Sequence, residues 1–237
     1  MNNYVFPPLP QPRLPVQDST EYFPVARVFC MGRNYWWPEA LVDGKAPERE
    51  APFFFMKPAH AIAPAHGHLP FPSLTAEFCP EIELVIAIGK DGSDIAEGEA
   101  LNHVWGYAAG LDMTRRDIQM AAKAQGRPWE SSKAFEHSAP ATAIVPVSKI
   151  GHPTSGALWL QVNGVDRQRS NLANQIWSVA EVVSRISQSI GLKAGDLIFT
   201  GTPAGVESIQ AGDVVTAGIE GIGQLSVTVA THQHAFS

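Results

Sequence analysis

The stretch from Glu81 to Ile88 constrains the fold more than any other part of the chain. It begins with polar and apolar residues in alternation and then becomes continuously apolar. That pattern is typical of a β-strand that enters a buried core from its polar end. Glu81 and Glu83 are two positions apart, so on a strand they lie on the same face, about 7 Å apart at the backbone. Two carboxylates at the mouth of a core strand need a cation or another partner to neutralise them.

Most other segments predict short strands, and few predict helices. Capping boxes predict two helices, one that begins at Thr114 and ends near Gly126, and one that begins at Ser178 with Gly191 at its C′ position. Asn163-Gly164 after an apolar run predicts a tight hairpin turn. Further strand candidates lie at residues 25–31, 53–56, 104–111, 158–162, 196–200, 214–216 and 225–229. The sequence therefore predicts an α+β fold dominated by β-strands, with a few peripheral helices.

Composition and charge argue against several classes of protein. The chain has 237 residues, of which 45% are hydrophobic, enough for a sizeable core. Its formal charge of −6 and scattered basic residues argue against nucleic-acid binding. No apolar run approaches the roughly 20 residues of a membrane helix, and the N-terminus lacks the pattern of a signal peptide. Two cysteines, Cys30 and Cys79, are too few for a disulfide framework. We therefore expect a cytoplasmic protein with no nucleic-acid or membrane partner.

Asp112 is the natural third member of an acidic cluster with Glu81 and Glu83, because it directly follows the apolar stretch 104–111. Three carboxylates suit a hard cation such as Mg²⁺ or Mn²⁺, whereas a structural zinc site would use Cys or His. Simpler alternatives exist for each residue. An isolated Glu-x-Glu is more often a solvated strand face, and an acid before a helix often interacts with the helix dipole. The apolar flanks of Glu81 and Glu83 favour a metal site.

Polar residues after Asp112 are candidates for binding an anion. Arg116 and Gln119 are three positions apart on a predicted helix and so share a face. Lys133 lies beyond that helix, and Thr202 lies in a Gly-Thr-Pro turn that can present a hydroxyl and backbone N–H groups. Taken singly, each is more often an ordinary surface or turn residue.

Six motifs, taken in this order, resemble the fumarylacetoacetate hydrolase family. They are spread over residues 25–230: Gly32-Arg-Asn-Tyr35, Pro52-Phe-Phe-Phe-Met-Lys-Pro58, Glu81-Ile-Glu-Leu84, the segment 106–119, Pro128-Trp-Glu-Ser-Ser-Lys-Ala-Phe135 and the segment 195–206. A lone Glu-x-Glu is a weak signal, but six collinear motifs are a strong one. Within the family, the sequence is most similar to the fumarylpyruvate and acylpyruvate hydrolases.

The resemblance implies a mixed β-roll catalytic domain over residues 21–237, usually a homodimer, after a proline-rich N-terminal arm over residues 1–20. It implies that Mg²⁺ or Mn²⁺ binds to Glu81, Glu83 and Asp112. It also implies that a 2-oxo acid is contacted by Arg33, Gln119, Lys133 and Thr202, with Arg116 nearby. The metal and Lys133 would polarise the oxo acid and stabilise the enolate left when a C–C bond breaks.

One departure from the family pattern bears on the reaction. Hydrolytic members typically carry a His and, three residues later, a Glu that activate the attacking water. Those positions are Pro38 and Leu41 in this chain, and proline cannot act as a base. Glu39 is a candidate for a displaced replacement. Cys79 stands where a His often precedes the Glu-x-Glu pair.

Three functions are therefore open at the level of sequence. The first is a metal-dependent hydrolase that cleaves a C–C bond of an acylpyruvate such as fumarylpyruvate. The second is a tautomerase, isomerase or decarboxylase of a 2-oxo acid, which requires no activated water. The third is a non-catalytic relative that binds a metal and an oxo acid. The intact metal motifs favour an enzyme over this third function.

Overall fold

The computed structural model describes residues 4–36 and 48–231, which form a strand-rich fold. Its strands are β1 Arg13–Pro15, β2 Tyr22–Pro24, β3 Arg27–Met31, β4 Phe54–Lys57, β5 Ile62–Pro64, β6 His66–Pro70, β7 Phe78–Cys79, β8 Ile82–Ile88, β9 Val104–Leu111, β10 Thr114–Arg115, β11 Ala139–Ala141, β12 Val145–Pro146, β13 Ala157–Val162, β14 Val165–Asn171, β15 Asp196–Phe199, β16 Val214–Ile219 and β17 Gly223–Ala230. Its α-helices are α1 Glu97–Ala100, α2 Arg116–Ala124, α3 Glu130–Lys133, α4 Val147–Ile150 and α5 Val179–Ser189. Short 3₁₀ turns lie at Ala59–Ala61, Leu101–His103 and Leu172–Asn174. The predicted α+β, β-dominated fold is confirmed.

Two sheets enclose the main core. The larger sheet has the order β4-β3-β15-β8-β9-β11-β5, with β12 also paired to β9. The smaller sheet has the order β14-β13-β16-β17-β6. One apolar cluster draws residues from both sheets, among them Leu84 and Ile86 of β8 and Leu225 and Val227 of β17. Burial of this apolar surface is the main stabilising contribution.

Strand β8 lies in the middle of the larger sheet, between β15 and β9. All seven of its residues are buried, as its continuously apolar sequence predicts. It pairs antiparallel with β9, so that Ile82 lies opposite Leu111 and Glu83 opposite Gly110. The polar start of β8 and the end of β9 therefore meet at the same edge of the core.

Two of the predicted turns and caps are confirmed. Asn163 and Gly164 join β13 to β14 with φ values of 52° and 78°, the positive pair that a type I′ hairpin requires. The Ser178 side chain accepts from the Glu181 N–H, and the Glu181 side chain accepts from the Ser178 N–H. Gly191 follows the C-cap of α5 as predicted, but its φ is not positive. A Cβ there would lie 2.5 Å from the Ser93 hydroxyl, which would have to rotate away.

The capping box predicted at Thr114 is wrong. Helix α2 begins at Arg116 and has no side-chain cap, whereas Thr114 belongs to β10 and pairs with Cys79. The buried Thr114 hydroxyl donates 3.2 Å to a carboxylate oxygen of Glu81 instead of capping the helix. A tertiary contact thus takes the hydroxyl that local sequence assigns to a cap. The predicted end near Gly126 is confirmed, because α2 ends at Ala124.

The division at residue 20 between an arm and a catalytic domain stays a prediction. Strand β1 lies within the predicted arm and pairs with β2. Leu14 and Val16 are buried in a second apolar cluster with Val28 and Phe199. Cys30 and Cys79 are both buried and free, in agreement with the absence of a disulfide framework. Among the described residues, no helix has the length and apolar character needed to cross a membrane.

Candidate metal centre and its pocket

Three carboxylates meet where β8 begins and β9 ends. Glu81 directly precedes β8, Glu83 is its second residue, and Asp112 directly follows β9. The backbone N–H of Asp112 donates to the carbonyl of Glu81 at 2.9 Å, which fixes the two chain segments side by side. One oxygen from each carboxylate lies within 4.8 Å of the other two. All three residues are nearly inaccessible, with exposed fractions of 6%, 1% and 1%. The structure brings together the three acids that the sequence analysis selected.

Two buried lysines partly neutralise this cluster. Lys133 Nζ donates to Glu81 Oε2 at 2.9 Å and to Asp112 Oδ2 at 2.7 Å. Lys57 Nζ lies 2.9 Å from Asp112 Oδ1 and also donates to the carbonyls of Met113 and Lys133. Three carboxylates therefore face two ammonium groups, which leaves one excess negative charge in a buried place.

The pKa values reflect this imbalance. Burial raises the pKa of Glu83 well above its usual value, and the neighbouring Asp112 and Glu81 raise it further. Burial also raises the pKa of Glu81, although Lys133 opposes the effect. For Asp112, burial is outweighed by Lys133 and Lys57, so its pKa is lowered. The pKa of Lys133 is raised, because the attraction of Asp112 and Glu81 exceeds the effect of burial. The cluster therefore favours the charged form of Lys133, and Glu83 is the carboxylate most in need of a positive partner.

The donor set fits a hard divalent cation. It consists of oxygen atoms alone, and Mg²⁺ and Mn²⁺ prefer such ligands. One oxygen of each carboxylate lies within 4.8 Å of the others, so small side-chain movements would let all three reach one cation. Asp112 Oδ1 is buried and has no well-formed hydrogen bond, although Lys57 lies close enough for an ion pair. A divalent cation would satisfy this oxygen and reverse the excess of negative charge.

The turn after β15 holds the cluster from one side. The backbone N–H of Gly201 donates to Glu83 Oε2 at 2.7 Å. Gly201 has a φ of 93°, and a Cβ there would lie 2.7 Å from the Cβ of Asn34, so only glycine fits. The Thr202 hydroxyl donates to the carbonyl of Ile82 at 2.8 Å and accepts from Gln168 at 2.9 Å. The Gly-Thr-Pro turn is thus tied to the start of β8.

A cavity of about 210 Å³ opens beside the cluster. Its lining includes all five residues that the sequence analysis selected for substrate contact: Arg33, Arg116, Gln119, Lys133 and Thr202. Glu81 and Asp112 line it as well. Arg116 Nη1 donates to Gln119 Oε1 at 2.8 Å, so these two residues share a helix face as predicted. A larger cavity of about 590 Å³ lies against β1 and β5, but no carboxylate lines it, so we place the chemistry in the smaller one.

Some of the predicted residues lie outside the described part of the chain, and some residues of the site were missed by the sequence analysis. Glu39, the candidate for water activation, lies outside the described residues, as do Pro38 and Leu41. Lys57 was missed by the sequence analysis. It ends the apolar strand β4, and a lysine in such a place is a signal, because a buried ammonium group needs a charged partner. The apolar lining was also missed, namely Phe53, Met120 and Trp129.

The fold is strand-rich, and its buried cluster of three carboxylates is a candidate metal centre. The cavity beside this cluster is lined by cationic side chains, so the protein belongs to a class that could bind a small anion next to a metal ion. The family model described as fumarylacetoacetate (FAA) hydrolase C-terminal matches residues 27–230. The chain therefore belongs to the fumarylacetoacetate hydrolase family, and the resemblance drawn from the six motifs is confirmed.

Characterised relatives and a solved structure support this membership. The chain is 41% identical over 180 residues to the fumarylpyruvate hydrolase of a Ralstonia species, and this match covers 76% of this chain and 93% of that protein. It is 40% identical over 195 residues to the mitochondrial oxaloacetate tautomerase FAHD1 of Mus musculus, and this match covers 82% of this chain and 87% of that protein. The crystal structure of fumarylpyruvate hydrolase from Pseudomonas aeruginosa in complex with Mn²⁺ and pyruvate superposes with a TM-score of 0.91 at 50% identity. That match covers 97% of this chain and 100% of the other.

Proposed function

We propose that this protein is a divalent-metal-dependent hydrolase that cleaves a C–C bond of an acylpyruvate, a 2,4-dioxo acid resembling fumarylpyruvate. The observation that carries the proposal is the convergence of Glu81, Glu83 and Asp112 beside a cavity lined by cationic and amide side chains. The likeness to a fumarylpyruvate hydrolase solved with Mn²⁺ and pyruvate supports the same reaction. Hydrolysis would add the hydroxyl of water to the acyl carbon and a proton to the leaving carbon, giving a carboxylate and pyruvate.

The three carboxylates would hold Mg²⁺ or Mn²⁺. When bound, the cation supplies a Lewis acid that polarises the oxo group of the substrate. Lys133 would stabilise the negative charge that develops on the substrate oxygens. The attraction of Asp112 and Glu81 outweighs burial and raises the pKa of Lys133, which favours its protonated form.

Gln119 and Thr202 would orient the oxo acid in different ways. Arg116 donates to Gln119 Oε1, so the amide nitrogen of Gln119 is left to donate to a substrate carboxylate. The Thr202 hydroxyl already donates to the carbonyl of Ile82. It therefore offers the substrate an acceptor, or a donor only if this bond breaks. Arg33 also lines the cavity and pairs with Glu50 at 3.2 Å. A bound anion would therefore compete with Glu50 for the guanidinium of Arg33.

A second function, tautomerisation or decarboxylation of a 2-oxo acid, is favoured by two observations. One is the 40% identity to an oxaloacetate tautomerase. The other is the presence of Pro38 and Leu41 where hydrolytic members of the family typically have His and Glu. Such chemistry needs the metal and Lys133 but no activated water. In the hydrolase, Glu39 would be the residue that activates water.

A substrate panel distinguishes these functions. The protein is treated with a chelator, reloaded with Mg²⁺ or Mn²⁺, and given fumarylpyruvate, acetylpyruvate and oxaloacetate. We expect pyruvate release from an acylpyruvate with metal and none without it. Enol–keto conversion or decarboxylation of oxaloacetate, with no cleavage of either acylpyruvate, would refute the hydrolase and support the second function.

Analytical sedimentation of the same sample tests the predicted homodimer.

A further inference from the structure

One stripe of helix α2 forms a wall of the cavity. Arg116, Gln119, Met120 and Lys123 all line it. They follow the spacing i, i+3, i+4 and i+7, which places them on one face of an α-helix. The stripe therefore leads from the metal centre towards the surface, with a polar residue at its inner end and a cation at its outer end.

The cations of this cavity differ in their partners. Lys133 is paired with Glu81 and Asp112. Arg33 is paired with Glu50, and Arg116 donates to Gln119 Oε1. Lys123 is exposed, and within residues 4–36 and 48–231 no ion pair or side-chain hydrogen bond involves its ammonium group. It adds a positive charge to the outer part of the cavity that the metal centre does not use.

The spacing along α2 suits a ligand with two charged ends. Gln119 and Lys123 are one helical turn apart, about 6 Å along the axis. If the 2-oxo-carboxylate end is held at Gln119 and the metal centre, a second carboxylate at the far end of a 2-oxo diacid of six or seven carbons falls near Lys123, and fumarylpyruvate has seven. A four-carbon diacid is too short to reach from the metal centre to this lysine.

The cavity also has an apolar part of its lining. Phe53 and Met120 line the cavity and keep 44% and 48% of their surface exposed. Trp129 also lines the cavity and packs edge-on against Phe53, with ring centroids 5.6 Å apart. These side chains would cover the uncharged middle of an unsaturated substrate chain.

We infer that Lys123 is a specificity-determining residue that pairs with a second carboxylate at the distal end of the substrate. The cavity would thus prefer acylpyruvates that end in a carboxylate over those that end in a neutral group. This inference rests on the proposed function, because that proposal places the oxo-acid end at Gln119 and the metal centre. Since Lys123 is exposed, its contribution is screened by solvent and is modest, about two- to fivefold in affinity.

The test compares two non-hydrolysable ligands that differ only at the distal end. Calorimetry measures the affinity of the Mn²⁺-loaded protein for 2-oxoadipate, which ends in a carboxylate, and for 2-oxohexanoate, which ends in a methyl group. The variants are Lys123→Ala, Lys123→Arg and the matched control Lys90→Ala, which removes an exposed lysine outside the cavity. Alanine is a good helix former, so the Lys123→Ala protein is expected to fold.

We expect the wild type, Lys123→Arg and Lys90→Ala to bind 2-oxoadipate about two- to fivefold more tightly than 2-oxohexanoate, and Lys123→Ala to lose this preference. Raising the salt concentration should reduce the preference in the wild type. The inference is overturned if Lys123→Ala keeps the preference, if the wild type has none, or if neither ligand binds. A preference that depends on Lys123, in a protein that cleaves no acylpyruvate, would refute the proposed hydrolase and leave this inference standing.

Discussion

The floor and the wall of the cavity are built in different ways. The floor consists of Glu81, Glu83 and Asp112, which are buried, fixed by the pairing of β8 with β9, and surrounded by ion pairs. The wall is the stripe of α2 that lines the cavity, and its Met120 and Lys123 are exposed. A rigid floor suits chemistry common to all 2-oxo acids, whereas an exposed wall can vary with the tail of the substrate. Changes to the floor should therefore affect metal binding and folding, and changes to the wall should affect selectivity.

The largest effect is expected from Glu83→Gln, which removes one charge from the floor without changing its size. We expect Mn²⁺ affinity to fall by at least about 100-fold, because one of the three carboxylate ligands and its negative charge are lost together. The metal-free variant should melt at a higher temperature than metal-free wild type, because the excess buried negative charge is gone. Calorimetry and thermal denaturation measure the two effects.

A matched control for this change is Glu97→Gln, which neutralises an exposed acid on α1. It should alter neither metal affinity nor the melting temperature measurably. Unchanged Mn²⁺ binding in Glu83→Gln would show that the floor is not the metal centre.

The next largest effect is expected from Lys57→Met, which removes a buried cation beside Asp112 while keeping much of its volume. The carboxylate is then left without one of its two lysines, so the free energy of unfolding should fall by about 3–5 kcal/mol in the metal-free protein. Urea denaturation with and without Mn²⁺ measures this loss and its recovery. We expect Mn²⁺ to stabilise the variant more than the wild type. An equal stabilisation of both proteins would argue against a shared role of lysine and metal at Asp112.

A smaller effect is expected at the base of the wall. Asp117 accepts hydrogen bonds from the Thr75 hydroxyl and from the backbone N–H groups of Ala76 and Ile118, and these lower its pKa. The carboxylate therefore stabilises the fold above the pKa of the unfolded chain, about 3.9, and loses this effect as the pH falls through the lower folded value. Asp117→Asn should cost about 1 kcal/mol at pH 7 and much less at pH 2. A cost that is the same at both pH values would mean that charge plays no part in anchoring α2.

The sequence predicted the floor well because its signals are local. An acidic pair at the start of an apolar strand and an acid at the end of another need only one strand pairing to meet. Thr114 was misassigned because its hydroxyl has a choice between a helix cap and Glu81, and only the packed structure decides. Lys57 lies 24 residues before Glu81 in the chain, and nothing local links the two. The apolar lining of the cavity was missed because, in the sequence, Phe53 and Met120 are indistinguishable from core residues until their exposure is seen.

The central claim is that three carboxylates converge on a single divalent cation. It is tested most directly by an anomalous difference map from crystals of the protein grown with Mn²⁺. The account predicts one strong peak per chain, about 2 Å from an oxygen of each of Glu81, Glu83 and Asp112. The absence of a peak there, or a peak bound by other residues, would contradict it.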